Sequence, residues 1–227
     1  MNKKIFAELL SYARDNVEKI TQPYILDAFG VKVEQRCDTL EQYTDAIDNA
    51  CLHKYFSKYW HNDMKKWKHS GLTLIDEVNN LKPRAVLDVG CGYNEFKGKI
   101  KNLIGIDPYN DKADFKVSTL QFKTYQKFDV IMCLGSINFG IKEKIIAEVG
   151  RCVNLLADGG TMFFRVNPGL KHDKPEAKWI EFFAWNVPFI IELADIFKLT
   201  ILDIKDDTNQ RKYFVYRKNV DQFGKII

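Results

Sequence analysis

Apolar residues recur at three- and four-residue intervals through Ile5, Phe6, Leu9, Leu10, Ala13, Val17 and Ile20, so the spacing predicts an amphipathic helix over Lys3–Thr21, stopped before Pro23. A second helical pattern, Leu40, Tyr43, Ile47 and Cys51, begins after Asp38 or Thr39, either of which can cap it, and extends towards Trp60. Leu72, Ile75, Val78 and Leu81 mark a third helical face, with Ser70 as its candidate cap and Pro83 just past its end. No two-residue alternation precedes Pro83.

From Ala85 the pattern changes. Ala85-Val86-Leu87-Asp88-Val89 is a short apolar run that enters Gly90-Cys91-Gly92, as a strand buried on both faces enters a glycine turn. Further apolar runs follow at 103–106, 115–117, 129–134 and 161–166, with a helical pattern over 141–156. The segments 199–204 and 212–217 are β-rich and flank the polar turn 206–210, which predicts a hairpin. Alternating strands and helices predict an α/β fold: a doubly wound, mostly parallel, seven-stranded sheet with an antiparallel C-terminal hairpin, preceded by an N-terminal helical cap. The expected division is 1–80 for the cap and 81–227 for the α/β domain.

Composition narrows the function classes. The chain has 227 residues and a net charge of +4 from 34 basic and 30 acidic side chains, too even a balance to imply nucleic-acid binding by itself. Its five cysteines form no Cys-x-x-Cys pair, which fits reduced thiols, a cytoplasmic location and no metal site. The basic start is interrupted by Glu8, Arg14 and Asp15, and the apolar stretch Ile180–Leu193 carries Glu181, Asn186, Pro188 and Glu192, so neither export nor a membrane span is expected.

The glycine turn carries the chemistry. Glycines there let the backbone pass close to a ligand and take positive φ. A dinucleotide site would place a third glycine where Glu95 stands and rest a pyrophosphate on the next helix, so Glu95 weighs against a nicotinamide cofactor. Asp88, at the strand end, suits a cationic ligand instead. Asp107 ends the next strand, where a carboxylate can accept from both hydroxyls of a ribose; alternatively it only forms the turn before Pro108.

Four segments in register, DVGCG at 88–92, GID at 105–107, FDVIMC at 128–133 and LLADGGTMFFR at 155–165, resemble the class I S-adenosylmethionine-dependent methyltransferases. The resemblance runs from about Leu72 to Arg217 and includes the terminal hairpin. It implies S-adenosylmethionine as cofactor, with Asp88, Val89, Gly90, Cys91 and Gly92 around the methionine end and Asp107 with Pro108 at the ribose. Ser118, Thr119 and Leu120 would border the adenine, and Leu134, Gly135 and Ser136 would face cofactor and substrate. Asn94 replaces the family's last turn glycine, and Asn tolerates a left-handed backbone. Only ten residues separate Gly92 from Leu103, so the first crossover is short or irregular.

Methyl transfer is an in-line displacement that depends chiefly on positioning. Asn138 and His172 are the candidate catalytic residues. Asn138 can instead cap the helix near Ile141, and His172 can be a solvated loop residue. The segment 54–69 interleaves lysines with Tyr55, Phe56, Tyr59, Trp60 and Trp67. It reads as a helix whose aromatics pack inward or cover the cofactor, or as a nucleic-acid surface. A small-molecule or nucleotide acceptor is expected, with RNA or DNA, or a catalytically silent relative, as alternatives.

Overall fold

The computed structural model describes residues 1–15, 25–61 and 63–220. Six strands form the main sheet: β3 (Val86–Val89), β4 (Leu103–Ile106), β5 (Phe128–Leu134), β6 (Leu156–Val166), β7 (Leu199–Asp207) and β8 (Arg211–Lys218), in the order β4-β3-β5-β6-β8-β7. β3 to β6 are parallel, while β8 is antiparallel to both β6 and β7, as expected of a terminal hairpin. The sheet has six strands rather than seven. Residues 115–117 make only an isolated bridge from Phe115 to Ile106, and Phe115 is half exposed, so this short run gains too little burial to extend the ladder.

The period of two along each strand divides the core. Leu87, Ile131, Cys133, Phe164 and Phe214 face one side, against α4 (Lys142–Leu155) and α5 (Val187–Phe197) through Ile145, Val149, Ile190 and Leu193. Val86, Val130, Met132, Phe163 and Val215 face the other, against Leu74 and Val78 of α3 (Thr73–Asn80) and against Met64 and Trp67. Burial on both faces is why all four β3 residues are buried.

The expected cap is helical. α1 (Lys3–Asp15) buries Ile5 and Leu9 against α2 (Leu40–Lys58), together with Phe29, Val31 and Trp179. The expected continuation of α1 to Thr21 lies outside the described residues. A small antiparallel pair, β1 (Ile25–Leu26) and β2 (Val31–Lys32), connects the two helices. Thr39 caps α2: its hydroxyl accepts the Gln42 N–H at 3.2 Å.

Ser70 does not cap α3. It is buried, and its hydroxyl donates to Asp207 at the far end of the chain, while α3 begins after Leu72. The buried face of α3 is Leu74 and Val78, whereas Leu72 and Leu81 are exposed. Asp207 ties the cap segment to the hairpin: it accepts the Lys68 N–H at 2.9 Å, the His69 N–H at 3.1 Å and the Arg165 Nε–H at 3.3 Å. The Arg165 guanidinium lies 4.2 Å from the Trp67 ring centroid. Burial raises the Asp207 pKa, but the Ser70, Thr208 and His69 bonds and Arg165 outweigh it and hold the carboxyl below its ordinary value.

Replacing Asp207→Ala leaves Arg165 buried and unpaired, and should lower unfolding stability in urea by about 3–5 kcal/mol. Ser70→Ala should cost about 1–2 kcal/mol. The charge-dependent part of the Asp207 contribution is complete above about pH 5 and is lost as the pH falls further, so acid titration should narrow the difference between the native chain and Asp207→Ala.

Candidate functional site

The C-terminal ends of β3, β4 and β5 open into a cavity of about 460 Å³, covered by α2. Its floor is set by the glycine turn. Gly90 has φ +66°, and a Cβ there would overlap the Ser136 side chain; Gly92 has φ +55°, with the Trp60 ring above it. Asn94 takes φ +57°, so the turn persists without its last glycine. The chain from Gly92 to Leu103 then runs in successive turns, with Asn94 N–H donating to the Cys91 carbonyl at 2.9 Å and Ile100 N–H to the Phe96 carbonyl at 3.0 Å. No helix follows the glycine turn, and Phe96 and Ile100 fill the space beneath β4 that such a helix would cover. The helix N-terminus that would hold a pyrophosphate is therefore missing from this site.

Two carboxyl groups dominate its electrostatics. Asp88 is 3% exposed, and its pKa is pushed up to about 8, first by burial and then by the Asp107 carboxylate, with no hydrogen bond or ion pair among the described residues to hold it down. Asp107 is buried at the end of β4. One oxygen accepts the Tyr109 and Asn110 N–H groups at 2.7 and 2.9 Å, forming the turn at Pro108, and the other accepts the Gly92 N–H at 3.0 Å. Turn formation and facing the cavity are thus combined in one residue, since the second oxygen keeps a free lone pair. Ser136 Oγ is buried without a partner at the cavity wall.

Of the expected cofactor residues, Gly90, Gly92, Asp107 and Pro108 line the cavity, as do Ser118, Thr119, Leu120, Leu134, Gly135 and Ser136. Asp88, Val89 and Cys91 do not. Val89 packs into the core, Cys91 is buried beside Gly105, and Asp88 is buried near the end of β3, outside the lining.

The two candidate catalytic residues lie elsewhere. Asn138 is buried, with its side-chain oxygen accepting the Asn167 N–H at 2.9 Å and its carbonyl accepting the Phe183 N–H at 2.8 Å. It holds two loops together, and Ile141 rather than Asn138 stands at the start of α4. His172 is half-buried and bridges Tyr55 of α2 to Arg211 of β8, at 2.8 and 3.1 Å. Because Arg211 only donates, His172 Nε2 accepts, and Nδ1–H donates to the Tyr55 oxygen. Burial, then Arg211, lowers the His172 pKa to about 4, so the ring is neutral with both nitrogens engaged.

Phe56 of α2 and Trp60 just beyond it form the cavity's upper wall, as the covering reading of 54–69 expects, whereas sequence reasoning missed Asn49, Leu52 and His53 of α2 and Tyr109 and Phe139 facing them. Their three- and four-residue spacing was the available signal. Lys144 and Glu148 of α4 complete the wall. Burial raises the Glu148 pKa to about 7 against the opposing pull of Lys144. In the segment 54–69, Phe56 and Trp60 face the cavity and Trp67 is buried, whereas Lys65, Lys66 and Lys68 are exposed; Asn62 lies outside the described residues.

No protein-family model and no curated protein sequence matches the chain. Solved structures do. A 1,6-didemethyltoxoflavin-N1-methyltransferase from Burkholderia thailandensis, with bound 1,6-didemethyltoxoflavin and S-adenosylhomocysteine, aligns with TM-score 0.58 and 16% identity over 87% of this chain and 99% of that one. An S-adenosylmethionine-dependent methyltransferase from Clostridium acetobutylicum ATCC 824 aligns with TM-score 0.51 and 18% identity over 75% and 98%. The fold is that of the class I S-adenosylmethionine-dependent methyltransferases. A magnesium protoporphyrin IX methyltransferase from Synechocystis PCC 6803 with bound S-adenosylmethionine shares it, with TM-score 0.51 and 12% identity over 76% and 97%. Within this methyltransferase fold, the turn-only first crossover and the carboxyl pair are features read directly from the chain's own residues.

Gly90→Ala combines left-handed strain with the overlap on Ser136, and should lower unfolding stability by about 1–3 kcal/mol. Adding Ser136→Gly removes the overlap but not the strain, so the double variant should recover part of that loss in urea titrations.

Proposed function

We propose that the chain binds S-adenosylmethionine in this cavity and transfers its methyl group to a small acceptor molecule. The observation that carries the reading is Asp88, a desolvated carboxyl without a partner beneath a glycine turn that no helix follows. A cation placed there restores the charge of Asp88, whereas a pyrophosphate would meet two carboxyl groups and no helix N-terminus. The unpartnered Ser136 hydroxyl supplies a further hydrogen-bonding group. A cavity of about 460 Å³ also lies within the range of roughly 300–1,000 Å³ that small-ligand sites occupy.

S-adenosylmethionine, when bound, supplies an electrophilic methyl group on a sulfonium. Gly90 and Gly92 would receive its methionine end, with Asp88 buried behind them as the nearby carboxyl, Asp107 Oδ2 would receive a ribose hydroxyl, and Ser118, Thr119 and Leu120 the adenine. α2 would cover the acceptor and exclude water, which makes residues 1–80 a substrate-covering segment on the 81–227 domain. Such a site accelerates transfer by holding the reacting atoms in line, and it needs no nucleophile or metal of its own. Neither Asn138 nor His172 enters this scheme, because neither lines the cavity, and the Asn138 side-chain oxygen and both His172 nitrogens are engaged elsewhere. The solved relative with the highest overlap given above holds a small molecule beside S-adenosylhomocysteine. The aromatics of 54–69 face the cavity or the core, which leaves few rings on which nucleic-acid bases could stack.

Calorimetric titration with S-adenosylmethionine, S-adenosylhomocysteine and NAD tests the reading. Saturable binding of the first two is expected, weakened at least about tenfold in Asp107→Ala, which loses the carboxylate and loosens the turn. Binding of NAD alone, or of none of the three, would refute it.

A further inference from the structure

The wall of the cavity that faces the glycine turn has a composition of its own. Phe56 lies 5.2 Å from Phe139, 5.6 Å from Trp60 and 6.2 Å from Tyr109 between ring centroids, the last pair within 15° of parallel. These rings make an apolar enclosure between α2 and the loops after β4 and β5, with Trp60 and Phe139 edge-on to Phe56. Glu148 of α4 stands beside it, largely buried, with no hydrogen bond or ion pair among the described residues. Glu148 and Tyr109 line the same cavity, and the charge of Glu148 reaches Tyr109 together with those of Asp48 and Asp107. Lys144, one turn earlier on α4, is the lysine of the lining, set against the two lining carboxyl groups of Asp107 and Glu148. The lining therefore favours a neutral or cationic guest and repels an anionic one.

We propose that Glu148 recognises the amino group of a small acceptor whose flat apolar body is held by Phe56, Trp60, Tyr109 and Phe139. The inference rests on the proposed methyltransferase reading and specifies its acceptor. A buried carboxylate without a partner gains a charge-assisted hydrogen bond from an ammonium group, and the surrounding rings favour the same cation through their faces. A phosphorylated or carboxylated acceptor would gain neither. Glu148 acts here as a specificity-determining residue.

The test uses three probes with one body and different heads: 2-phenylethylamine, 2-phenylethanol and phenylacetate. Each is titrated by calorimetry into the full chain saturated with S-adenosylhomocysteine. The amine should bind at least about tenfold tighter than the other two. In Glu148→Gln that advantage should fall to within about twofold, and Glu148→Asp should keep part of it, while S-adenosylhomocysteine affinity stays the same. Equal affinities for the three probes, a preference for phenylacetate, or no binding of any at millimolar concentration would overturn the inference. So would a Glu148→Gln variant that keeps the amine preference or loses S-adenosylhomocysteine binding, since Glu148 would then serve no role in the acceptor site or would belong to the cofactor. A chain that binds neither S-adenosylmethionine nor S-adenosylhomocysteine would instead refute the methyltransferase reading itself.

Discussion

Asp88 and Asp107 stand at the ends of adjacent parallel strands, and the Asp107 carboxylate sits close enough to raise the pKa of the buried Asp88. Asp107 is stabilised by three backbone N–H groups, and Asp88 by none. The pair can keep both charges only if a cation joins it, because burying a lone carboxylate is costly. The local geometry accommodates this pair. The glycine turn is pinned to Asp107 through the Gly92 N–H, Gly90 leaves room for Ser136, and the chain beyond Asn94 turns without forming a helix. The cavity combines unsatisfied acid at one end with aromatic rings at the other, which fits a cofactor carrying positive charge and an acceptor with an apolar body.

The cap is fixed to the sheet by polar anchors as well as apolar packing. Asp207 draws together Lys68, His69, Ser70 and Arg165, and the Tyr55–His172–Arg211 chain ties α2 to β8. Both networks bridge the N-terminal segment to the C-terminal hairpin and so fix the segment that covers the cavity. Fixing α2 in this way holds Phe56 and Trp60 over the glycine turn, and a rigid wall costs less order on binding than a mobile one.

The fold was largely legible because its signals are local. The run Val86–Val89 into Gly90-Cys91-Gly92, the hairpin about Asp207 and the left-handed Asn94 each depend on residues a few positions apart. Readings that failed or went unmade depend on distant partners. Ser70 resembles a helix cap until Asp207 is beside it, Asn138 until Asn167 and Phe183 are, and His172 resembles a loop residue until Tyr55 and Arg211 occupy both its nitrogens. α2 hid its cavity face for another reason. Tyr43, Ile47, Cys51 and Tyr55 bury one side of the helix while Phe56 and Trp60 line the cavity from another, so no single apolar stripe marks either role. Residues 115–117 looked like a strand by composition, but a run this short depends on neighbours that cover it.

The central claim is that the unpartnered Asp88 selects a cationic ligand, and its most direct test is the proton count of binding. S-adenosylmethionine is titrated calorimetrically at about pH 6 to 7.5, where its own amino group stays largely protonated, in buffers of different ionisation enthalpy. Asp88 in the free chain, with a pKa of about 8, is protonated in that range, and a bound cation lowers that pKa. The account predicts release of about one proton at pH 7 and an affinity that rises up to about tenfold per pH unit, both lost in Asp88→Asn. Tight binding with no proton release and no pH dependence would contradict it.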